Sequence, residues 1–137
     1  MIYHVTSTSG SGPLLWTDTE KRFRIIMYHK LTPLITGPGY TLIIPKYIPA
    51  FEGLLKEELE IKPAIIYRLA TGEEWKHYYQ LMIHKNIHPK TIHNINILHE
   101  NIWQYNGHLF VAKKIKEKLA LLSSGELQFS QGFSHFG

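Results

Sequence analysis

Along much of this chain hydrophobic positions recur at every second residue, the period of a strand with one covered face. Ile2 to Thr6 alternates weakly and predicts a first strand, followed by the turn-rich run Ser7-Thr8-Ser9-Gly10-Ser11-Gly12-Pro13. Phe23-Arg24-Ile25-Ile26-Met27-Tyr28 is dense in β-forming residues and predicts another. Leu31 to Tyr40 holds Pro33, Gly37, Pro38 and Gly39, which bar a long regular element, and Thr41-Leu42-Ile43-Ile44 predicts a short apolar strand. Ala64 to Ala70 and Trp75 to Ile83 predict an antiparallel hairpin across Thr71-Gly72-Glu73-Glu74. In its second strand Trp75, His77, Tyr79 and Leu81 are expected on one face, with Lys76, Tyr78, Gln80 and Met82 on the other. Ile95 and Ile97 are in phase within Ile92 to Ile97, a short strand or an extended connector.

Two stretches switch to helical spacing. Phe51, Leu54, Leu55 and Leu59 fall on one helix face with Glu52, Lys56, Glu57 and Glu60 around it. Pro49 suits the first turn of such a helix, and Pro63 lies beyond its end. Val111, Ile115, Leu119 and Leu122 repeat the spacing, with Lys113, Lys114, Lys116, Glu117 and Lys118 outside and Gly125 as the expected stop. Before this helix, Asn106-Gly107 predicts a tight turn, because both residues tolerate positive φ. After it, Leu127 and Phe129 alternate with polar neighbours in a final short strand. The two helical regions also echo each other. Leu42 to Ile48 before Leu54-Leu55 matches Leu109 to Ile115 before Leu121-Leu122, at a constant offset of 67 residues. The expected fold is α+β, mostly antiparallel sheet with two amphipathic helices. The echo adds the expectation of two repeated strand–helix–strand units, over 41–67 and 108–130.

Composition narrows the function classes. A chain of 137 residues fits one domain and would leave two halves too small for secure cores. With 44% hydrophobic and 19% charged residues it belongs among globular proteins. No apolar run approaches the roughly 18 residues of a membrane span. Met1-Ile2-Tyr3-His4-Val5-Thr6 lacks the charged start and apolar stretch of a secretory signal, so a cytoplasmic location is expected. The absence of cysteine excludes disulfides and thiolate chemistry. The net charge of +4 comes from 15 Lys plus Arg, of which three are Arg (Arg22, Arg24, Arg68), against 11 acids with a single Asp, Asp18.

Candidate chemistry is sparse. His84 and His88 have the i, i+4 spacing of two zinc ligands on a helix, but Pro89 and strand-like flanks argue for a polar loop instead. Gly10-Ser11-Gly12 lacks the strand-to-helix setting of a nucleophile elbow, and Leu14-Leu15-Trp16 follows where a phosphate loop needs a Lys and a helix. The pairs Glu57-Glu58 and Glu73-Glu74 diverge as adjacent residues do, so no catalytic pair, metal or cofactor is expected. Nucleic-acid binding is the alternative. Lys113, Lys114, Lys116 and Lys118, extended by Lys85, Lys90, Arg22 and Arg24, could meet phosphates while Trp103, Tyr105 and Tyr79 stack bases. The Lys run fits the solvent face of an amphipathic helix equally well, and no helix-turn-helix, RNA-recognition or zinc-finger pattern is present.

The order of elements carries a resemblance. After the first helix come a strand ending in Ile66-Tyr67-Arg68-Leu69 and one with Tyr78-Tyr79-Gln80-Leu81. Trp103, the strand Gly107-His108-Leu109-Phe110-Val111 and the helix Ile115-Lys116-Glu117-Lys118-Leu119 follow. Over the last two-thirds of the chain this resembles the bacterial immunity proteins encoded beside polymorphic and contact-dependent toxins. The chain departs from them at Gly125-Glu126-Leu127-Gln128-Phe129, one residue longer than their Gly-x-x-Phe. Its basic charge also departs from the acidic balance of nuclease inhibitors, which disfavours a nuclease partner. The resemblance implies a non-enzymatic protein that occludes one cognate toxin domain. Such an interface centres on aromatic anchors with a polar rim. The candidates are Trp75, Tyr78, Trp103 and Tyr105, with His84, Lys85, His88, Lys90 and His93 of the His84 to His93 segment.

Overall fold

The computed structural model of the chain describes residues 1–19, 21–90 and 100–132. Within these residues ten strands form two sheets. The strands are β1 (Ile2–Ser7), β2 (Leu14–Thr19), β3 (Arg22–Met27), β4 (Leu34–Gly37), β5 (Tyr40–Ile43), β6 (Leu59–Tyr67), β7 (Glu74–Ile83), β8 (Ile102–Tyr105), β9 (His108–Ala112) and β10 (Leu127–Gln131). A six-stranded sheet runs β2-β3-β6-β7-β5-β4 and a four-stranded sheet runs β10-β1-β9-β8. Neighbouring strands are antiparallel except β3 and β6, which are parallel. Two short helices complete the chain, a 3-10 helix over Pro45–Phe51 and α1 over Lys113–Leu122.

The main core joins the two sheets. Leu34, Ile43 and Leu81 of the larger sheet meet Val5, Leu109 and Val111 of the smaller, with Tyr47 and Phe51 of the 3-10 helix and Ile115 and Leu119 of α1. The two helices pack against each other. Burying α1's stripe while its lysines stay in water is what the helical spacing predicts. A second cluster, with Phe23, Leu42, Ile66 and Tyr78 at its centre, fills the larger sheet's other side.

Several sequence expectations shift. The helix expected around Phe51 to Leu59 does not form. Helical structure is instead a 3-10 run that ends at Phe51, and Leu59 already begins β6. Pro49 sits inside that run, where an α-helix would lose a hydrogen bond and clash with the preceding turn. Gly53 then turns the chain at φ +90, and Leu55 is 65% exposed rather than buried. Strand β2 had no predicted counterpart, because its burial pattern contains a single buried residue, Leu15. In β7 the expected face does not hold. A register shift between Ala64 and Ile66 of β6 sets Trp75 in the same core cluster as Tyr78, while Leu81 is buried in the main core on the sheet's other side. Residues 92–97, expected to be extended, lie outside the described residues.

The two hairpins set the stage for the surfaces below. β4–β5 turns at Pro38-Gly39 and β8–β9 at Asn106-Gly107, the latter with φ of 51 and 82 as a tight hairpin turn requires. Leu34 pairs with Ile43, and 68 residues later Ile102 pairs with Val111. The 67-residue match of residue types therefore falls one position out of hairpin register.

Candidate partner-binding surface

Strand β7 leaves its sheet at Ile83, and the next residues run onto the edge of β8. The Gln104 N–H donates to the Lys85 carbonyl and the Ile87 N–H to the Gln104 carbonyl, both at 2.9 Å. This crossing brings together four of the predicted contact residues, His84, Lys85, His88 and Tyr105. His84 Nε2 lies 2.9 Å from Glu60 Oε2, and the His88 ring stands edge-on to Tyr105 with centroids 5.4 Å apart. The exposed Lys90 caps this segment, its N–H donating to His88 Nδ1 at 3.0 Å. No group of three or more His, Asp or Glu that could hold a metal ion occurs among the described residues.

The other predicted anchors do not join them. Trp103 is fully buried, and its indole N–H donates to Glu100 at 2.6 Å. Tyr78 is buried too, its hydroxyl donating to the Thr32 carbonyl at 2.8 Å, and burial pushes its phenol up to about 12. Both are core residues with their polar atoms satisfied, so neither is a surface anchor. Trp75 is half-buried against the second core cluster. His93 lies outside the described residues.

A different surface emerges from strand register. Residues directly opposite in a ladder share a face. Thr17, Phe23, Ile66 and Trp75 form one such row, and all but the exposed Thr17 belong to the second core cluster. The adjacent row, Trp16, Arg24, Tyr67 and Glu74, is turned outward, and Arg22 stands opposite Ile65 on the same side. The Arg22 guanidinium lies 4.6 Å from the Tyr67 ring centroid and 3.3 Å from Glu74 Oε2. The Tyr67 hydroxyl donates to Asp18 at 2.5 Å, which raises the tyrosine's pKa because the neutral phenol is the donor. Beyond the row, Arg68 stacks 4.3 Å over Tyr28, and these two share a depression of about 490 Å3 with Arg24, Ile26 and Leu69.

No family model, curated protein or solved structure matches the chain.

The face is therefore judged by its own chemistry. It gathers every arginine of the sequence, and Trp16 and Ile26 are 58% and 50% exposed there. Arg22 is held by Glu74, whereas Arg24 and Arg68 form no ion pair among the described residues. Arg, Trp and Tyr are among the side chains enriched in protein interfaces. Sequence reading missed this surface. Period-two alternation marks Trp16, Arg24 and Tyr67 as facing away from core neighbours, but nothing local reveals that the parallel β3–β6 pairing sets them in line.

A pair of imidazoles, His4 buried and His108 half-buried, lies on the smaller sheet. His4 Nε2 and His108 Nδ1 are 3.3 Å apart, so one ring donates to the other, and His4 stacks on Phe110. Desolvation lowers the His108 pKa from its ordinary 6.5.

Proposed function

We propose that this protein is a non-enzymatic, cytoplasmic binding protein of the immunity type, which neutralises a cognate toxin domain by covering it. The observation that carries this reading is the outward row Trp16–Arg24–Tyr67 flanked by Arg22 and Arg68. Its anchors are rigid, because the sheet fixes the backbone and cation–π stacking holds the guanidinium groups. Arg24 and Arg68, which form no ion pair among the described residues, favour a partner with acidic residues around an apolar centre. The His84, Lys85, His88 and Tyr105 flank provides a second, more polar contact region.

Nucleic acid is the alternative that cations and aromatics together invite. Two features favour protein. One face each of Tyr67 and Tyr28 is already covered by a guanidinium, and the remaining exposed groups include the aliphatic Ile26 and Leu69. The exposed lysines of α1 belong to the other sheet's helix, where Lys116 lies over Tyr3 and Phe129. As part of the same reading, 41–67 and 108–130 are taken as two repeated strand–helix–strand units, a view supported by the corresponding spatial orders β4-β5-β7-β6 and β8-β9-β1-β10.

The test is co-expression with the toxin domain encoded beside this gene. Co-purification is expected from the wild type, and Trp16→Ala combined with Arg24→Glu should weaken the complex by about 2 kcal/mol or more, roughly 30-fold. An undiminished complex would move the interface elsewhere. Absence of any complex, with salt-sensitive binding of single-stranded DNA or RNA instead, would replace the reading with the nucleic-acid one.

A further inference from the structure

Strand β3 is paired from end to end on one side and over only half its length on the other. β2 pairs with it from Arg22 to Met27, whereas β6 pairs with it over Arg22–Arg24 alone. β6 ends at Tyr67, opposite Arg24, and the chain turns away from Arg68 to Glu73. The Arg68 N–H fixes that turn by donating to the Glu73 carbonyl at 2.9 Å. The sheet therefore opens beside Ile25–Met27. The depression of about 490 Å3 lies at this opening, bordered by Ile25 and Ile26 of β3 and by Leu69 of the turn. A strand with a neighbour on one side alone presents backbone N–H and C=O groups at the other.

Two further properties narrow what this opening takes. Its inner end is shut, because a segment added beside Ile25–Met27 meets β6 at Tyr67 and can run no further. A chain in this place must therefore start or stop there. Charge chooses between the two. Arg24 stands at the last paired position and Arg68 follows Tyr67 directly, and neither forms an ion pair among the described residues. The Arg68 guanidinium carbon lies 4.3 Å from the Tyr28 ring centroid, so cation–π attraction holds its donors at the depression that both residues line. Guanidinium groups match a carboxylate bidentately, whereas a free amino end would meet like charge. Beside them Ile26 and Leu69 are largely exposed, an apolar flank for one side chain.

We propose that this opening binds the carboxyl terminus of a partner polypeptide. The chain end adds as a short strand beside Ile25–Met27, with its carboxylate at Arg24 and Arg68 and its last, apolar side chain against Ile26 and Leu69. The direction follows from the shut end, which lies at Arg24 near the start of β3, so a chain that stops there runs antiparallel to β3. An acidic side chain or a phosphate would engage the arginines and leave the strand edge unused. The proposal rests on the arginine face being a contact surface, and names what that face takes from its partner.

The experiment is a titration of the full chain followed by 1H–15N NMR with three peptides. They are acetyl-Ala-Thr-Val-Leu with a free carboxyl end, its carboxamide, and the carboxamide of acetyl-Ala-Asp-Val-Leu, which carries the same charge away from the end. The free acid should give saturating shifts at the backbone amides of Ile25 to Tyr28. Both carboxamides should bind about tenfold or more weakly, and Arg68→Gln should weaken the free acid by a similar factor. If that variant loses its dispersed spectrum, Arg24→Gln takes its place with the same expectation. A carboxamide that binds as tightly as the acid, shifts that never saturate, or unchanged binding in the folded variant would overturn the site. Co-purification with the toxin domain is read separately. A complex that forms while no peptide binds removes the carboxyl-end site alone, and a peptide that binds while no complex forms removes the immunity reading alone.

Discussion

Gly39 and Gly107 occupy the same place in two hairpins and have nearly the same φ, +81 and +82. Their surroundings separate them. A Cβ on Gly39 meets nothing within 4 Å, whereas one on Gly107 would stand 1.9 Å from the Gly37 carbonyl oxygen. Gly39→Ala should therefore cost only the left-handed penalty of about 1–2 kcal/mol. Gly107→Ala should cost well beyond that, because the obstruction is backbone and the two hairpins must part to relieve it. Urea unfolding of both variants checks the contrast, and equal losses would refute it. Titration gives a second residue-level expectation. His108 has a lowered pKa in the folded protein, so the unfolded chain takes up its proton first. Stability should be full above about 6.5 and fall as pH drops through and below that value, with a smaller decline in His108→Gln. A separate loss is expected below about 4.5, where Glu126, held low by Lys46 and Tyr47, becomes protonated. Urea midpoints measured from pH 8 down to 3 would resolve the two windows.

Among the elements, α1 shows how burial divides a helix. Leu119 is fully buried and Leu121, two residues on, is 88% exposed. Leu119→Ala should destabilise by about 2–5 kcal/mol. Leu121→Ala should change stability by less than about 0.5 kcal/mol. Thermal melts distinguish them directly. This helix was legible in the sequence because its stripe and its lysines repeat over ten residues without interruption. The Asn106-Gly107 hairpin and the β6–β7 hairpin were legible for the same reason, since their determinants are local. The region from Pro45 to Leu59 was not. Its leucines imitate a helical stripe, but two prolines and Gly53 favour a short 3-10 run followed by a turn. Strand β2 escaped notice because an edge strand needs little hydrophobic alternation. As for the sites, the flank of His84, His88 and Tyr105 could be singled out by residue type, whereas Trp103 and Tyr78 could not be told from core. The arginine face was hidden because its rows depend on which strands lie side by side.

At the scale of the molecule, strand order makes a prediction that no single element does. β1 lies between β9 and β10, and the Gly132 N–H donates to the Ile2 carbonyl at 2.8 Å. The start of β1 and the end of β10 thus meet as the two arms of a hairpin would. A permuted chain that begins in the Ser9 to Gly12 loop, and joins residue 132 to Met1 through a short Gly-Ser linker, should fold with an unfolding midpoint close to that of the natural order. A collapsed product without cooperative unfolding would show that β1 must lead the chain. The smaller sheet also ties this fold to time. His4 and His108 stand 104 residues apart, so β1 leaves the ribosome long before either of its neighbours, β9 and β10. Until then its Ile2 and Val5 are exposed to the cell. The residues of β1 thus wait long for their partners, and a nascent chain held before β9 would offer them to chaperones.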